Sequence, residues 1–226
     1  MDGRGNVWYL CGKRGTGKSF EALEIAAFFR ERRESPKRTI ILDHTQNDDT
    51  YGGIDVIQID DLRYLLPGRA CVRVQTQDWS RFLDFAFKIK NASIVIDDAT
   101  GLWRGNVPDK LISFVGLAKN HRLELIMQFH TIADTAPSIL KSCNMLVIKQ
   151  TNDSFPIKKS APNSRLIERM ILDCGDENSK YDPNRKWATR LVDINEEMVY
   201  VKNPTVSNFA ESYKQRREIS EIIKTL

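Results

Sequence analysis

The sequence predicts an α/β fold with a mainly parallel sheet flanked by helices, and three observations carry that prediction. Short apolar runs rich in Val, Ile and Leu recur from Val7 to Lys149, and stretches with helical spacing separate them. A glycine-rich turn joins the first apolar run to the first helical stretch. Buried-type strands alternating with helices are what a parallel sheet covered on both faces requires, because each crossover returns the chain across a face. The chain has 226 residues, 41% hydrophobic and 28% charged, which suits one compact domain with a small appendage and excludes disorder as the dominant state.

The elements follow in order. Val7–Cys11 is the first strand, and Ser19–Glu31, with Phe20, Leu23, Ile25, Ala26, Phe28 and Phe29, is an amphipathic helix. Strands are expected at Thr39–Asp43, Val56–Ile59 and Ala70–Val74, then a helix at Trp79–Lys90 carrying Phe82, Leu83, Phe85, Ala86 and Ile89. A strand at Ser93–Asp97 precedes a helix at Pro108–His121, where proline is acceptable in the first turn. Glu124–Phe129, a shorter helix at Asp134–Cys143, and Met145–Lys149 complete a core over residues 1–150. Residues 151–226 read as a C-terminal elaboration of the same domain. There Thr151–Asn163 and Gly175–Lys186 are polar, hold three prolines and read as loops. Ser164–Cys174 is a short helix, Trp187–Ile194 with Met198–Val201 a hairpin, and Ser207–Leu226 a charged terminal helix.

Composition excludes several function classes. Cys11, Cys71, Cys143 and Cys174 are scattered and none lies in a CxxC pair, so neither a zinc site nor a disulfide framework is expected. No apolar run approaches the ~18 residues that span a bilayer, and Met1 to Lys13 lacks the pattern of a secretory signal. The expectation is a cytoplasmic protein without a transmembrane segment. A net charge of +4 is too small to argue for a nucleic-acid partner by itself.

The strongest chemical signal is Gly12-Lys13-Arg14-Gly15-Thr16-Gly17-Lys18-Ser19, which matches GxxxxGK(S/T) between a predicted strand and a predicted helix. Its glycines let the backbone wrap phosphate oxygens, while successive N–H groups and the helix N-terminus supply donors and positive charge. The expected ligand is ATP with Mg²⁺. Lys18 is expected on the β- and γ-phosphates, and the Ser19 hydroxyl on the metal.

A second signal is Ser93-Ile94-Val95-Ile96-Asp97-Asp98, a buried-type strand ending in two carboxylates. Such a pair alone is often a solvated turn, but beside a phosphate loop Asp97 becomes the expected metal carboxylate. Asp98 is the candidate base for the attacking water. The next apolar strand is interrupted near its carboxyl end by Gln128, where ligands gather in open α/β sheets. Gln128 is therefore expected at the γ-phosphate or the attacking water, the alternative being a core glutamine with structural hydrogen bonds. His130 reads more readily as a packed or capping residue than as a catalyst.

Together these segments resemble the FtsK/HerA superfamily of P-loop ATPases, ring-forming motors that pump DNA or related polymers, over roughly Val7 to Gln150. Ala118-Lys119-Asn120-His121-Arg122 through Gln128, then Pro137-Ser138-Ile139-Leu140 and Met145–Lys149, is similar to that superfamily in order and spacing. Asp43-His44 resembles the Asp-Pro of many HerA-like proteins. The short length and the wording Lys13-Arg14-Gly15-Thr16-Gly17-Lys18-Ser19 are similar to virus genome-packaging ATPases. Two residues depart from the pattern: Asp98 stands where Glu is commoner, and Met127 where cellular members often have Thr.

The resemblance implies a P-loop NTPase of the additional-strand, RecA-like type, in which another strand lies between the loop strand and the acidic strand. It also implies double-stranded DNA as partner, a homo-oligomeric ring, and docking on a capsid vertex or portal protein. Such rings commonly use an arginine from a neighbouring subunit, for which Arg104 and Arg122 are the candidates. DNA would be gripped through its backbone, with Lys158, Lys159, Arg165, Arg169 and the Trp103-Arg104-Gly105 stretch as basic candidates. Alternatives are a filamentous-phage assembly ATPase similar to zonula occludens toxin-like proteins, a small-molecule kinase and a non-enzymatic nucleotide-dependent scaffold. Lys13 adds a ParA-like alternative, since it stands where deviant loops carry their signature lysine, although Arg14 departs from the usual glycine there.

Overall fold

The computed structural model describes residues 4–45, 49–102, 107–157, 161–180 and 187–224. The chain divides into two compact units, Met1–Val7 with Ser19–Gln128, and Trp8–Lys18 with Phe129–Leu226. Strand β1 (Asn6–Cys11) therefore begins in the first unit and ends in the second.

In the first unit, helix α1 (Lys18–Arg30), whose first residue alone belongs to the second unit, leads to strands β2 (Arg38–Asp43), β3 (Asp55–Ile57) and β4 (Cys71–Gln75). Helix α2 (Trp79–Ala86), strand β5 (Ala92–Ile96), helices α3 (Ala99–Leu102) and α4 (Asp109–Leu117) and strand β6 (Glu124–Phe129) follow. The strands run in the order β3-β4-β2-β5-β6, and every pairing is parallel. All residues of β2, β5 and β6 are buried, as in a parallel sheet covered on both faces. Helix α1 turns Ala22, Ile25, Ala26 and Phe29 inward at spacings of three and four, the helical period of one buried face. At the other side of β6 lies the start of β1: the Gly5 N–H donates to the Lys119 carbonyl at 3.3 Å and Asn6 Nδ2 to Glu124 Oε2 at 3.0 Å. Strand β6 thus stands between β1 and the acidic strand β5, the additional strand that the sequence led us to expect.

Several boundaries in this unit differ from expectation. Helix α2 stops at Ala86 rather than Lys90, because the Lys88 and Ile89 N–H groups bond to Phe85 and Ala86, tightening the chain into turns that bury Ile89. Helix α4 stops at Leu117 rather than His121. Ile59 belongs to a 3-10 turn, Ile59–Tyr64, and not to β3. The short helix α3 was not expected.

In the second unit, helix α5 (Pro137–Ser142) precedes strand β7 (Met145–Ile148), which pairs in parallel with β1 from Trp8↔Met145 to Cys11↔Ile148. Helix α6 (Ser164–Ser179) follows, then strands β8 (Arg190–Asp193) and β9 (Met198–Val201), helix α7 (Phe209–Ser212), strand β10 (Gln215–Glu218) and helix α8 (Ile219–Lys224). Strands β8, β9 and β10 add to β7 in antiparallel succession. The expected hairpin is present as β8 and β9.

Two expectations are corrected here. Helix α6 continues past Gly175 to Ser179, because Asn178 is buried and bonded twice, donating to Gln150 Oε1 at 3.2 Å and accepting the Ala188 N–H at 3.0 Å. The expected terminal helix over Ser207–Leu226 is instead broken by β10. Gln215–Glu218 pairs with Met198–Val201 and places all four side chains in solvent, so sheet hydrogen bonding overrides helical propensity. No helix among the described residues is long and apolar enough to cross a membrane.

Candidate functional site

Part of the candidate site is the loop from Gly12 to Lys18, within the second unit. The loop is registered by backbone bonds from Gly12 N to the Phe129 carbonyl and from Lys13 N to the Gln150 carbonyl, at 3.2 and 2.8 Å. Glycine is required at three of its positions. A Cβ on Gly12 would meet Thr16 Oγ1 at 2.6 Å and Lys149 Cβ at 2.9 Å, and Gly15 and Gly17 have φ of +78° and +74°. Thr16 is buried and donates to the Lys13 carbonyl at 2.8 Å, which closes the loop on itself. Arg14 and Gly15 are exposed at its tip. Lys18 donates to the same Lys13 carbonyl at 3.4 Å and to His130 Nδ1 at 3.2 Å. An ammonium only donates, so Nδ1 of His130 is the acceptor. At the foot of the loop Tyr9 and Cys11 are fully buried, and that burial pushes the Cys11 thiol up to about 12 and raises the Tyr9 phenol well above its ordinary value. Charge placed above such a floor is weakly screened.

Within the first unit, Ser19, the last residue of the signature, donates to Gln128 Oε1 at 3.5 Å. Gln128 is fully buried and donates through Nε2 to the Tyr51 hydroxyl at 2.8 Å, which in turn donates to Asp97 Oδ1 at 3.3 Å. Ser19, Gln128, Tyr51 and Asp97 thus form one hydrogen-bonded run. Its orientation is chemically consistent, because a carboxylate accepts, a phenol can do both, and the glutamine amide uses one end for each neighbour.

Tyr51 is wholly buried in a 3-10 turn, Asp49–Tyr51, and its carbonyl accepts from Arg73 Nη1 at 3.4 Å. Arg73 also forks onto Asp43 Oδ2 in a buried ion pair, so the carboxylate at the end of β2 is neutralised by β4. His44 donates Nδ1–H to the Asp97 carbonyl at 3.1 Å. Asp98 has φ of +39° and opens the turn into α3. A Cβ on Gly101 would lie 3.0 Å from His44 Nε2 and 3.4 Å from Asp98 Oδ2, so both side chains border the same small residue. Among the described residues, no three His, Cys, Asp or Glu side chains converge as a metal cluster. One carboxylate and one hydroxyl nonetheless fit magnesium, a hard ion that retains several waters.

The sequence-derived residues are therefore distributed as follows. Ser19, Asp97 and Gln128 come together in the first unit with Asp98 adjacent in sequence, while Gly12 to Lys18 form a closed loop in the second. Arg122 lies exposed at the amino-terminal end of β6 with φ of +56°, whereas Gln128 stands at the carboxyl end of the same strand. Five residue steps of strand separate their ends of β6, roughly 17 Å. Arg104 and the rest of the Trp103-Arg104-Gly105 stretch lie outside the described residues, as do Lys158 and Lys159. Arg165 is exposed on α6, and Arg169 pairs with Asp173 at 2.9 Å. Tyr51 and His44 were missed by sequence reasoning. His44 was noted only for its place after Asp43, and Tyr51 lies in a polar stretch with no periodicity to mark it.

No protein-family model and no curated protein matches this chain. Several solved structures share its fold. The genome-packaging NTPase B204 from Sulfolobus turreted icosahedral virus 2, in complex with ATPγS, aligns with a TM-score of 0.63 at 16% identity, over 91% of this chain and 100% of that one. The same protein with AMPPCP gives 0.61 at 15%, over 90% and 100%. B204 from Sulfolobus turreted icosahedral virus, a DNA-packaging ATPase, gives 0.58 at 17%, over 88% and 97%. The α/β arrangement with a mostly parallel sheet is thus that of a P-loop NTPase.

Proposed function

We propose that this chain is an ATP-hydrolysing motor subunit of the virus genome-packaging kind, moving double-stranded DNA into a capsid as one member of a homo-oligomeric ring. The observation that carries this reading is the hydrogen-bonded run Ser19–Gln128–Tyr51–Asp97, which ties the residue ending the phosphate loop to the acidic strand end. The fold shared with the genome-packaging NTPase B204 supports it.

In this reading the loop N–H groups and Lys18 hold the β- and γ-phosphates of ATP. The triphosphate takes Lys18 from His130 and the Lys13 carbonyl, its partners in the loop. Ser19 and Asp97 are the protein ligands of Mg²⁺, which when bound offsets charge on the phosphates. Asp98 accepts the proton of the attacking water. Gln128 senses the γ-phosphate, and because its amide is engaged at both ends, any rotation it makes is passed to Tyr51 and so to Asp97. Arg122, remote from Gln128 on β6, serves a neighbouring copy, with Arg104 as the other candidate. The partners are DNA and a capsid vertex or portal, in the cytoplasm or docked on the capsid.

Purified protein assayed for ATP hydrolysis with and without double-stranded DNA tests this function. DNA stimulates turnover, Lys18→Ala abolishes it, and Gln128→Ala keeps ATP binding while losing the stimulation. Transfer of phosphate to a small acceptor, or turnover indifferent to DNA, would overturn the motor assignment.

A further inference from the structure

Trp187 is 52% exposed, yet it is not a stray surface aromatic. A Cβ built on Gly17 would lie 3.9 Å from its Cδ1, so the edge of the indole stands about one methyl group away from the phosphate loop within the second unit. The segment that carries it is pinned from two directions. The Thr189 hydroxyl donates to the Trp187 carbonyl at 2.8 Å and accepts from Lys149 Nζ at 2.7 Å. Lys149 is only 2% exposed, an uncommon place for a lysine, and its methylenes fill the space over Gly12, where a Cβ would meet them at 2.9 and 3.6 Å. The neighbouring Ala188 N–H is held by Asn178, which also bonds Gln150 just beyond β7. One buried lysine therefore both closes on the first glycine of the loop and anchors the segment that presents the indole.

We propose that Trp187 is a stacking platform for a nucleobase, and that it gives the loop a preference for purine nucleotides. This rests on the reading of the loop as a triphosphate site, but adds a subsite that the loop motif does not contain. An indole whose Cδ1 edge stands beside the phosphate cradle, and which is half open to solvent, offers a flat, desolvatable surface for a ring attached to those phosphates. Stacking tolerates any base, but the larger purine face covers more of the indole.

The test is calorimetric titration of the full chain with ATP, CTP and inorganic tripolyphosphate in the presence of magnesium. Wild type binds all three, with ATP tighter than CTP. Trp187→Ala weakens ATP about tenfold, the size of one lost stacking contact, abolishes the preference over CTP, and leaves tripolyphosphate unchanged. Trp187→Phe restores most of the ATP affinity. Equal ATP affinity in Trp187→Ala and wild type overturns the subsite, as does a parallel loss of ATP and tripolyphosphate, which would mean a distorted loop. If wild type binds neither ATP nor tripolyphosphate, the loop reading itself falls, and the subsite with it. As an arm that does not depend on a truncated side chain, fluorine NMR of fluorotryptophan-labelled protein is read, with the Trp187 line assigned by its absence in Trp187→Phe. That line shifts with ATP and not with tripolyphosphate, and an unmoved line refutes stacking.

Discussion

Replacing Tyr51 by Phe isolates one oxygen atom in the middle of the buried run. The ring stays, so no cavity of consequence forms, but two interactions go: the bond accepted from Gln128 Nε2 at 2.8 Å and the one donated to Asp97 Oδ1 at 3.3 Å. Tyr51 and Gln128 are both fully buried, so water does not replace the missing partner. A stranded buried amide N–H costs about 1–3 kcal/mol and a lost bond to a charged acceptor about 1.5–3. Since both losses pass through one atom, they do not add in full, and we expect about 2–4 kcal/mol, a sizeable part of the ~5–15 kcal/mol that holds a typical domain folded. With a urea dependence of about 2–3 kcal/mol per molar, the unfolding midpoint falls by about 1 M. The assay is urea unfolding of wild type, Tyr51→Phe, Gln128→Leu and the double variant, without nucleotide. The cycle should show coupling within the range of about 0.5–3 kcal/mol seen for contacting residues. A midpoint unmoved by Tyr51→Phe, or single effects that simply add, would refute the claim that this hydroxyl joins glutamine to aspartate.

Two further outcomes follow from packing and burial. Gly12→Ala forces a Cβ to within 2.6 Å of Thr16 Oγ1 and 2.9 Å of Lys149 Cβ, so it should cost about 1–3 kcal/mol and weaken ATP binding. Gly53→Ala, with nothing within 4 Å, serves as the control and should change stability little in the same denaturation series. The buried thiols give an alkaline limit: burial pushes Cys11 and Cys174 up to about 12 from 9.0. The folded chain keeps those protons where the unfolded chain releases them, so their contribution is complete below pH 9 and is lost as pH rises toward 12. Each thiol steepens the loss by up to about 1.4 kcal/mol per pH unit. Cys174→Ala should make stability fall less steeply than wild type across that range, and an identical slope would contradict the assignment.

The parallel core was legible because its strands are buried on both faces and so read as continuous apolar runs: Glu124–Phe129 and Met145–Lys149 were found almost to the residue. The turn between β1 and α1 was legible because its glycines mark it: Gly15 and Gly17 have positive φ and Gly12 has no room for a Cβ. What escaped reading depended on distant partners. Gly175 reads locally as a breaker, and only Asn178, reaching Gln150 and Ala188, shows why α6 continues through it. Gln215–Glu218 has a helix former's composition and becomes a strand because Met198–Val201 offers it a backbone. Gln128 could be singled out as a polar residue in an apolar strand, but its partner Tyr51 comes from 77 residues away and leaves no local mark. Arg73 likewise belongs to a strand whose sequence gives no hint that Asp43 neutralises it.

Each unit's run of strands ends at a poor template for further pairing. Strand β3 is three residues long and opens with Asp55, and β10 is Gln-Arg-Arg-Glu with every side chain in solvent. Such margins discourage zippering of one polypeptide backbone onto another. Among the described residues these two edges thus favour contacts through side chains over a shared row of main-chain bonds, and side-chain contacts separate more readily than a continued sheet.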